Sequence, residues 1–310
     1  MKNFTYSDDN KRYHTLSFHN RKAYGRKMFK AVIDAGFTCP NIDGTKGRGG
    51  CIFCDGGSGY FTNENTLSVR EQLDLEKERI LSKYPDAGIT AYFQAHSNTY
   101  GSPERLKALV SEAVEWGADG IAIATRADCL DEEKASFLGS ISVPVTVELG
   151  LQSVHDRTAE IINRCHSYED FLSGYNMLKG FGIRVCVHII NGLPEETADM
   201  MISTAKLLGR LRPDGIKIHL LHVIKGTRLC EMYEGGKYTP MDKEEYIETV
   251  VRQLRFLPPE TVIERITGDG DKTKLVAPLW STDKISVLGS IDKRMKELDI
   301  FQGDLFVTDE

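Results

Sequence analysis

Apolar segments of strand length alternate with amphipathic segments of helix length over the first 225 residues. This alternation limits the fold more than any other feature of the chain. Strands are expected over residues 28–34, 88–93, 119–124, 143–151, 183–190 and 215–223. Near-continuous apolar strands separated by helices imply parallel β/α units covered on both faces. Between them the helices announce themselves by their ends. Ser68 and Glu71 form a capping box for a helix over 68–84, with Val69, Leu73, Ile80 and Tyr84 on one face. Ser102-Pro103 starts another that stops at Gly117, and further helices are expected over 131–138, 167–181 and about 195–211. Six such units predict an α/β fold, an incomplete (β/α)6 TIM-like barrel. The rest holds a helix over 242–256, a short strand near Val262 and a helix over 285–298. The expected organisation is a basic N-terminal arm over 1–30, the partial barrel over 31–225, and a C-terminal extension over 226–310 that closes or lids it. In such a barrel, chemistry sits at the C-terminal ends of the strands.

Composition narrows the class. The chain has 310 residues, 41% hydrophobic and 27% charged, which excludes a disordered or collagen-like protein. There is no apolar run long enough to span a membrane, and the N-terminus lacks a signal peptide's apolar core, so a cytoplasmic location is expected. Seven cysteines in such a chain point to metal or catalytic use rather than a disulfide framework. The net charge of -6 argues against a generally basic nucleic-acid binder, but it divides unevenly. Residues 1–30 carry Lys2, Lys11, Arg12, Arg21, Lys22, Arg26, Lys27 and Lys30 against Asp8 and Asp9, interleaved with Tyr13, Phe18, Tyr24 and Phe29. This arm reads either as a phosphate-contacting segment with stacking aromatics or as a leader whose aromatics pack on the domain.

The strongest chemical signal follows the first strand. Cys39, Cys51 and Cys54 stand as C-x11-C-x2-C, and seven of the 28 glycines lie between residues 44 and 59. A glycine-rich loop lets the distant thiolate fold back onto the C-x2-C pair and leaves backbone N–H groups free to bond sulfur. Three readings are open at this point. Structural zinc wants a fourth ligand, which Cys129 or Cys165 would have to supply. Inert buried cysteines would not need this spacing. A four-iron cluster held by three thiolates leaves one iron open for a small molecule, with Phe53 shielding it.

This loop resembles the cluster loop of the radical S-adenosylmethionine (SAM) superfamily. Its first gap is longer than that superfamily's commonest spacing of three and is similar to the branch containing the catalytic subunit of Elongator, the tRNA wobble-uridine enzyme. The wording Ala35-Gly36-Phe37-Thr38-Cys39-Pro40-Asn41 with Asp43-Gly44-Thr45 resembles the YhcC/YtqA-type subfamily. The resemblance implies a [4Fe-4S] cluster on Cys39, Cys51 and Cys54, SAM as the second cofactor, an external electron donor, and cleavage of SAM to a 5′-deoxyadenosyl radical.

The remaining strand ends are read against that expectation. Gln94 and Asn98 stand where the superfamily holds the SAM amino group, although the usual Gly-Gly-Glu wording is missing. Thr125-Arg126-Ala127-Asp128-Cys129-Leu130 resembles a segment of related enzymes with Ala127 in place of Pro; Arg126 and Asp128 either pair with each other or face the substrate. Glu148 and Gln152 share one face of the fourth strand. A carboxylate there can accept from ribose hydroxyls or from the ammonium, and the resemblance places Gln152 and Arg164 near the SAM carboxylate. Cys165 stands where relatives often have Gly. Gly192, in Asn191-Gly192-Leu193-Pro194, is expected to border adenine. On the sixth strand, Lys217 and His219 face one way and His222 the other, against a shared metal. The segment Arg265-Ile266-Thr267-Gly268-Asp269-Gly270 and Trp280 are assigned no role beyond lid or substrate contact.

The expected substrate is a tRNA wobble uridine side chain, reached through the basic arm. With no acetyltransferase domain after the barrel, a reaction such as carboxymethylaminomethyl-uridine to aminomethyl-uridine suits the chain. The alternatives are a radical SAM enzyme acting on a small metabolite and a non-catalytic zinc or cluster protein that binds RNA.

Overall fold

The computed structural model describes residues 4–55, 66–268 and 270–307. Lys2, Gly56, Gly57, Gly59 and Asp269 of the sequence reading lie outside the described residues. Seven strands form one parallel sheet in the order β1 (Met28–Ile33), β2 (Gly88–Phe93), β3 (Gly120–Thr125), β4 (Val145–Gln152), β5 (Arg184–Asn191), β6 (Gly215–Leu220), then β8 (Val262–Ile266). The sheet curls into an open half-barrel. Six strands were expected in the barrel; the seventh comes from the tail, where Val262 pairs with Gly215. The expected sixth strand ends early, at Leu220. Val223–Ile224 (β7) leaves the sheet and pairs antiparallel with Leu275–Ala277 (β9).

The helices cover the outer face. Ser68 caps α2 (Val69–Leu81) in the expected capping box. Ser102 and Gly117 bound α3 (Pro103–Trp116), and Gly117 takes a left-handed conformation (φ 98°) that closes the helix. Asp131 caps α4 (Glu132–Gly139), Ser167 caps α6 (Tyr168–Gly180), and Thr197 caps α7 (Ala198–Leu211). Between β4 and α6 lies a short helix, α5 (Asp156–Ile161). Outward-facing strand residues such as Ile33, Phe93, Ile123, Leu149, Val187 and Ile218 are almost wholly buried beneath these helices. The tail adds α8 (Arg228–Glu234), α9 (Lys243–Leu254) and α10 (Lys284–Glu297), with α9 packed on both α7 and α10.

The inner face follows a different rule. Ala122 and Ala124 on β3 and Gly150 on β4 carry little or no side chain, which keeps the half-barrel hollow. Beside them stand polar residues: Tyr92, Glu148, His188, Lys217 and Arg265.

The basic arm packs on the body through its aromatics, while Arg21, Lys22, Arg26 and Lys27 stay exposed. Its helix α1 (Leu16–Tyr24) lies across the N-terminal ends of the strands, where Leu16, His19 and Tyr24 border a small cavity with Met28, Thr90, Thr146 and Arg184. The residue before it, Thr15, bridges to Ile263 of β8. Four of the cations meet carboxylates: Arg12 with Asp299 at 2.9 Å, Arg21 with Asp8 at 2.6 Å, Arg26 with Asp119 at 2.5 Å, and Lys11 with Asp292, while Lys22 and Lys27 lie over the rings of Phe18 and Tyr84. Tyr13 and Phe18 are buried, Phe29 stacks on Tyr84, and of the four interleaved aromatics only Tyr24 is exposed. No helix among the described residues is long and apolar enough to cross a membrane.

Candidate active site

At the opposite, C-terminal end of the strands a cavity of about 410 Å³ opens. Cys39, Cys51 and Cys54 line its upper wall with Phe53, and Gln94, Gln152 and Arg126 stand around it. Glu148, His188, Lys217 and His219 form its floor. The strand register puts these residues together. Parallel pairing aligns Glu148 with Ala124 and Cys186, and His188 with Gly150 and Lys217.

The thiol loop is fastened from behind. Asn163, in a left-handed turn (φ 55°), donates through Nδ2 to the carbonyls of Gly50 at 2.7 Å and Arg48 at 3.2 Å. Asn41 Nδ2 donates to the Asn163 carbonyl and lies 3.8 Å from Cys51 Sγ. Gly47 must be glycine because a Cβ there would stand 2.1 Å from Asn41 Oδ1 and 2.6 Å from Cys165 Sγ. Arg228 also donates to Gly50, at 2.8 Å. Beneath the loop, Arg126 and Asp128 form a two-pronged ion pair at 2.9 and 2.8 Å, which Lys46 joins at 2.7 Å. Burial alone would raise the Asp128 carboxyl, but the hydrogen bonds from Arg126 and Lys46 hold it down to about 2. Of the two readings of Arg126 and Asp128, the internal pair is the one formed, although Arg126 also borders the cavity.

The residues present fit a cluster with a small molecule beside it. Three thiols share one wall, and room remains below them. Burial, followed by the charge of Cys54, pushes the Cys51 thiol up to about 12, so a cationic metal core is what would make it a thiolate. A zinc cage would need a fourth ligand. Cys129 lies outside the cavity wall, 3.7 Å from Ser97 Oγ, and Cys165 faces Asn163. Among the described residues no three His, Cys, Asp or Glu side chains are gathered on a single-ion position.

Several expected SAM contacts sit elsewhere than the sequence suggested. Gln94 and Gln152 do border the cavity; Gln152 follows a β-bulge and has φ 62°. Glu148 borders it too, but its oxygens accept from Lys217 at 2.5 Å, Tyr92 at 2.6 Å, His188 at 2.9 Å and Lys30. Oε2 takes Lys217, Tyr92 and His188 and Oε1 takes Lys30, so Glu148 is held chiefly by the residues of the floor. Burial would raise this carboxyl, but Lys217 and then Lys30 hold it well below the usual range. Arg164 is 1% exposed and lies behind the wall, donating to the carbonyls of His166 at 3.0 Å, Ser153 at 2.7 Å and Leu151. Gly192 (φ 84°) also lies outside the wall, pressed against Met241, its carbonyl accepting from Tyr238 at 2.8 Å. Asn98 is wholly buried and its Nδ2 fixes the carbonyls of Phe93, Ala95 and Ala124. His222 leaves the floor with β7 and packs against Gly270.

Sequence reading missed the floor as a unit. Lys30 of β1 reaches across to Glu148 and to Glu264 of β8 at 3.3 Å, and Arg184 pairs with Glu264 at 2.6 Å. The signal was present: a polar residue at every second place of otherwise apolar strands.

Comparison with known proteins decides the family. The model of the Radical SAM superfamily matches residues 42–208, and that of the Radical_SAM C-terminal domain matches residues 213–297. The chain belongs to the radical SAM superfamily. It is therefore an enzyme of a family that uses a [4Fe-4S] cluster and SAM. It is 44% identical over 307 residues to the uncharacterised protein YtqA of Bacillus subtilis, covering 98% of this chain and 95% of that one. Over 170 residues it is 29% identical to the tRNA uridine(34) acetyltransferase of Methanocaldococcus jannaschii, covering 54% of this chain and 31% of that protein. The solved structure of Methanocaldococcus infernus Elp3 with an N-terminal deletion superposes with a TM-score of 0.68 at 20% identity. That match covers 89% of this chain and 64% of that one, and it shows a shared fold.

Proposed function

We propose that this radical SAM enzyme acts on the side chain of a tRNA wobble uridine, converting carboxymethylaminomethyl-uridine towards aminomethyl-uridine. Cys39, Cys51 and Cys54 would hold the cluster, and Gln94 and Gln152 would meet SAM on the cavity wall. Held by these residues and given one electron by an external donor, the cluster and SAM would supply cleavage of the C5′–S bond to methionine and a 5′-deoxyadenosyl radical for hydrogen-atom abstraction from the substrate.

The chain's own residues do the rest. Phe53 puts an apolar ring beside the half-buried thiols on the cavity wall. The Asn41–Asn163–Gly50 bonds fix the loop against the end of α5 and the turn before α6. Gln94 and Gln152 offer amide donors and acceptors on either side of the open space. The observation that carries the reading is the meeting of the three thiols and these amides on one cavity at the C-terminal ends of parallel strands. The wobble-uridine substrate is supported by the similarity to the tRNA uridine(34) acetyltransferase. Mass spectrometry of wobble nucleosides from a deletion strain tests it: loss of aminomethyl-type uridines is expected, and an unchanged profile would refute it.

A small metabolite is the second reading. It is favoured by the position of the basic arm, which lies at the end of the barrel away from the cavity with Lys11, Arg12, Arg21 and Arg26 already paired. If tRNA binds, it must use cations near the thiol loop, where Arg48, Lys225, Arg228, Lys272 and Lys274 are exposed.

A further inference from the structure

An ion-pair network runs from the cavity floor towards the N-terminal end of the barrel. Lys217 and Glu148 line the floor, and beneath them Lys30, Glu264 and Arg184 border the smaller cavity at the other end of the strands. Burial lowers the Lys217 ammonium, against the pull of Glu148, so an anion seated beside it would favour its charged form. Burial, and then the charge of Lys217, lowers His188; burial, and then His188, lowers His219; burial keeps the Cys186 thiol protonated. A buried polar atom without a hydrogen bond is costly, and a ligand that supplies the missing acceptor relieves it. Two donors are placed to receive one. Lys217 and His219 stand two residues apart on the inner face of β6. Nε2 of His219 is buried without a hydrogen-bond partner among the described residues. The Tyr92 ring, 5.1 Å from Lys217 Nζ, supplies an apolar side wall.

Two donors side by side, Lys217 Nζ and His219 Nε2, suit a carboxylate, whose two oxygens they can meet separately. We propose that the floor is a specificity pocket for a carboxylate of the substrate, received by Lys217 with His219 as the second donor. This rests on reading the cavity as the substrate chamber, but not on the substrate being tRNA. The cavity is continuous from the thiols to the floor, so a carboxylate seated there anchors a molecule whose other end lies towards SAM.

The test is equilibrium binding to the reconstituted, SAM-loaded enzyme with two matched pairs. One pair is 5-carboxymethylaminomethyluridine and its carboxamide; the other is N-benzylglycine and N-benzylglycinamide. A charge-assisted hydrogen bond predicts that the carboxylate member binds about 10- to 100-fold tighter. Lys217→Met should reduce that preference to about threefold or less, and Lys217→Arg should restore most of it, while SAM affinity is unchanged. His219→Phe leaves the Lys217–Glu148 pair intact and serves if Lys217→Met folds poorly; it should cut the preference by about threefold or more. Absence of a carboxylate preference in both pairs overturns the proposal. So does its persistence in Lys217→Met, or a loss of SAM affinity in that variant with the preference intact. A preference in the benzyl pair alone supports the pocket and counts against the wobble-uridine reading.

Discussion

Arg164 and Asn163 show how one loop separates support from chemistry. Arg164 gives Nε and Nη1 to three carbonyls while its buried Nη2 has no hydrogen bond, so Arg164→Met should cost about 2–4 kcal/mol in chemical denaturation, with SAM affinity unchanged. A contact to the SAM carboxylate would instead show as weaker SAM binding in a stable protein. Asn163→Ala removes two bonds that pin the thiol loop, at about 1–3 kcal/mol, and should speed iron loss to a chelator. The three cysteines were legible in the sequence because their spacing and glycines are local. Arg164 was not, because an arginine after a strand reads the same whether its fork meets a ligand or the carbonyls of the turn. Glu148 was legible as an inward carboxylate, but its partners Lys30, Tyr92, His188 and Lys217 come from four other strands, which only curling of the sheet brings together.

At the scale of elements, the alternation of periods predicted strands and caps well because each is written in neighbouring residues. Ser68 and Ser102 cap the helices they were expected to start, and the helices expected over 131–138 and 167–181 form with Asp131 and Ser167 as their caps. Pairing partners are not local, and the tail strand β8 reads as a short strand in sequence while in space it extends the sheet. The arm is the other instance. Its charge suggested phosphate, but Asp119, Asp292 and Asp299, which meet it, lie far along the chain. Neutralising Arg21, Lys22, Arg26 and Lys27 together should leave tRNA affinity within about twofold, since the arm lies at the end of the barrel away from the cavity. If tRNA is bound, neutralising Arg48, Lys225 and Lys272 should lower affinity and reduce the salt dependence by about one unit of slope per lost phosphate contact. Filter binding at several salt concentrations distinguishes the two patches.

Over the whole molecule, buried ionisable groups set an acid limit. Burial lowers His166 and His222 from 6.5 to about 4, so the unfolded chain binds more protons than the folded one between those values. Stability should fall as pH drops from about 6.5 to about 4. Glu264 adds to this lower down. Burial would raise its carboxyl, but Lys30 and Arg184 hold it at about 2 against an ordinary 4.5. Its contribution is complete above about 4.5 and is lost as pH falls towards 2. Thermal unfolding of the apo-protein across this range should show a steady loss of Tm below pH 6.5; a flat profile down to pH 4 would contradict the buried neutral histidines. The central claim is that Cys39, Cys51 and Cys54 carry a cluster that cleaves SAM in this half-barrel. Anaerobic reconstitution with iron and sulfide, reduction, addition of SAM and detection of 5′-deoxyadenosine tests it most directly. The predicted result is cluster-level iron with 5′-deoxyadenosine formed, both lost in Cys54→Ala. Stoichiometric zinc with no iron and no 5′-deoxyadenosine would contradict it.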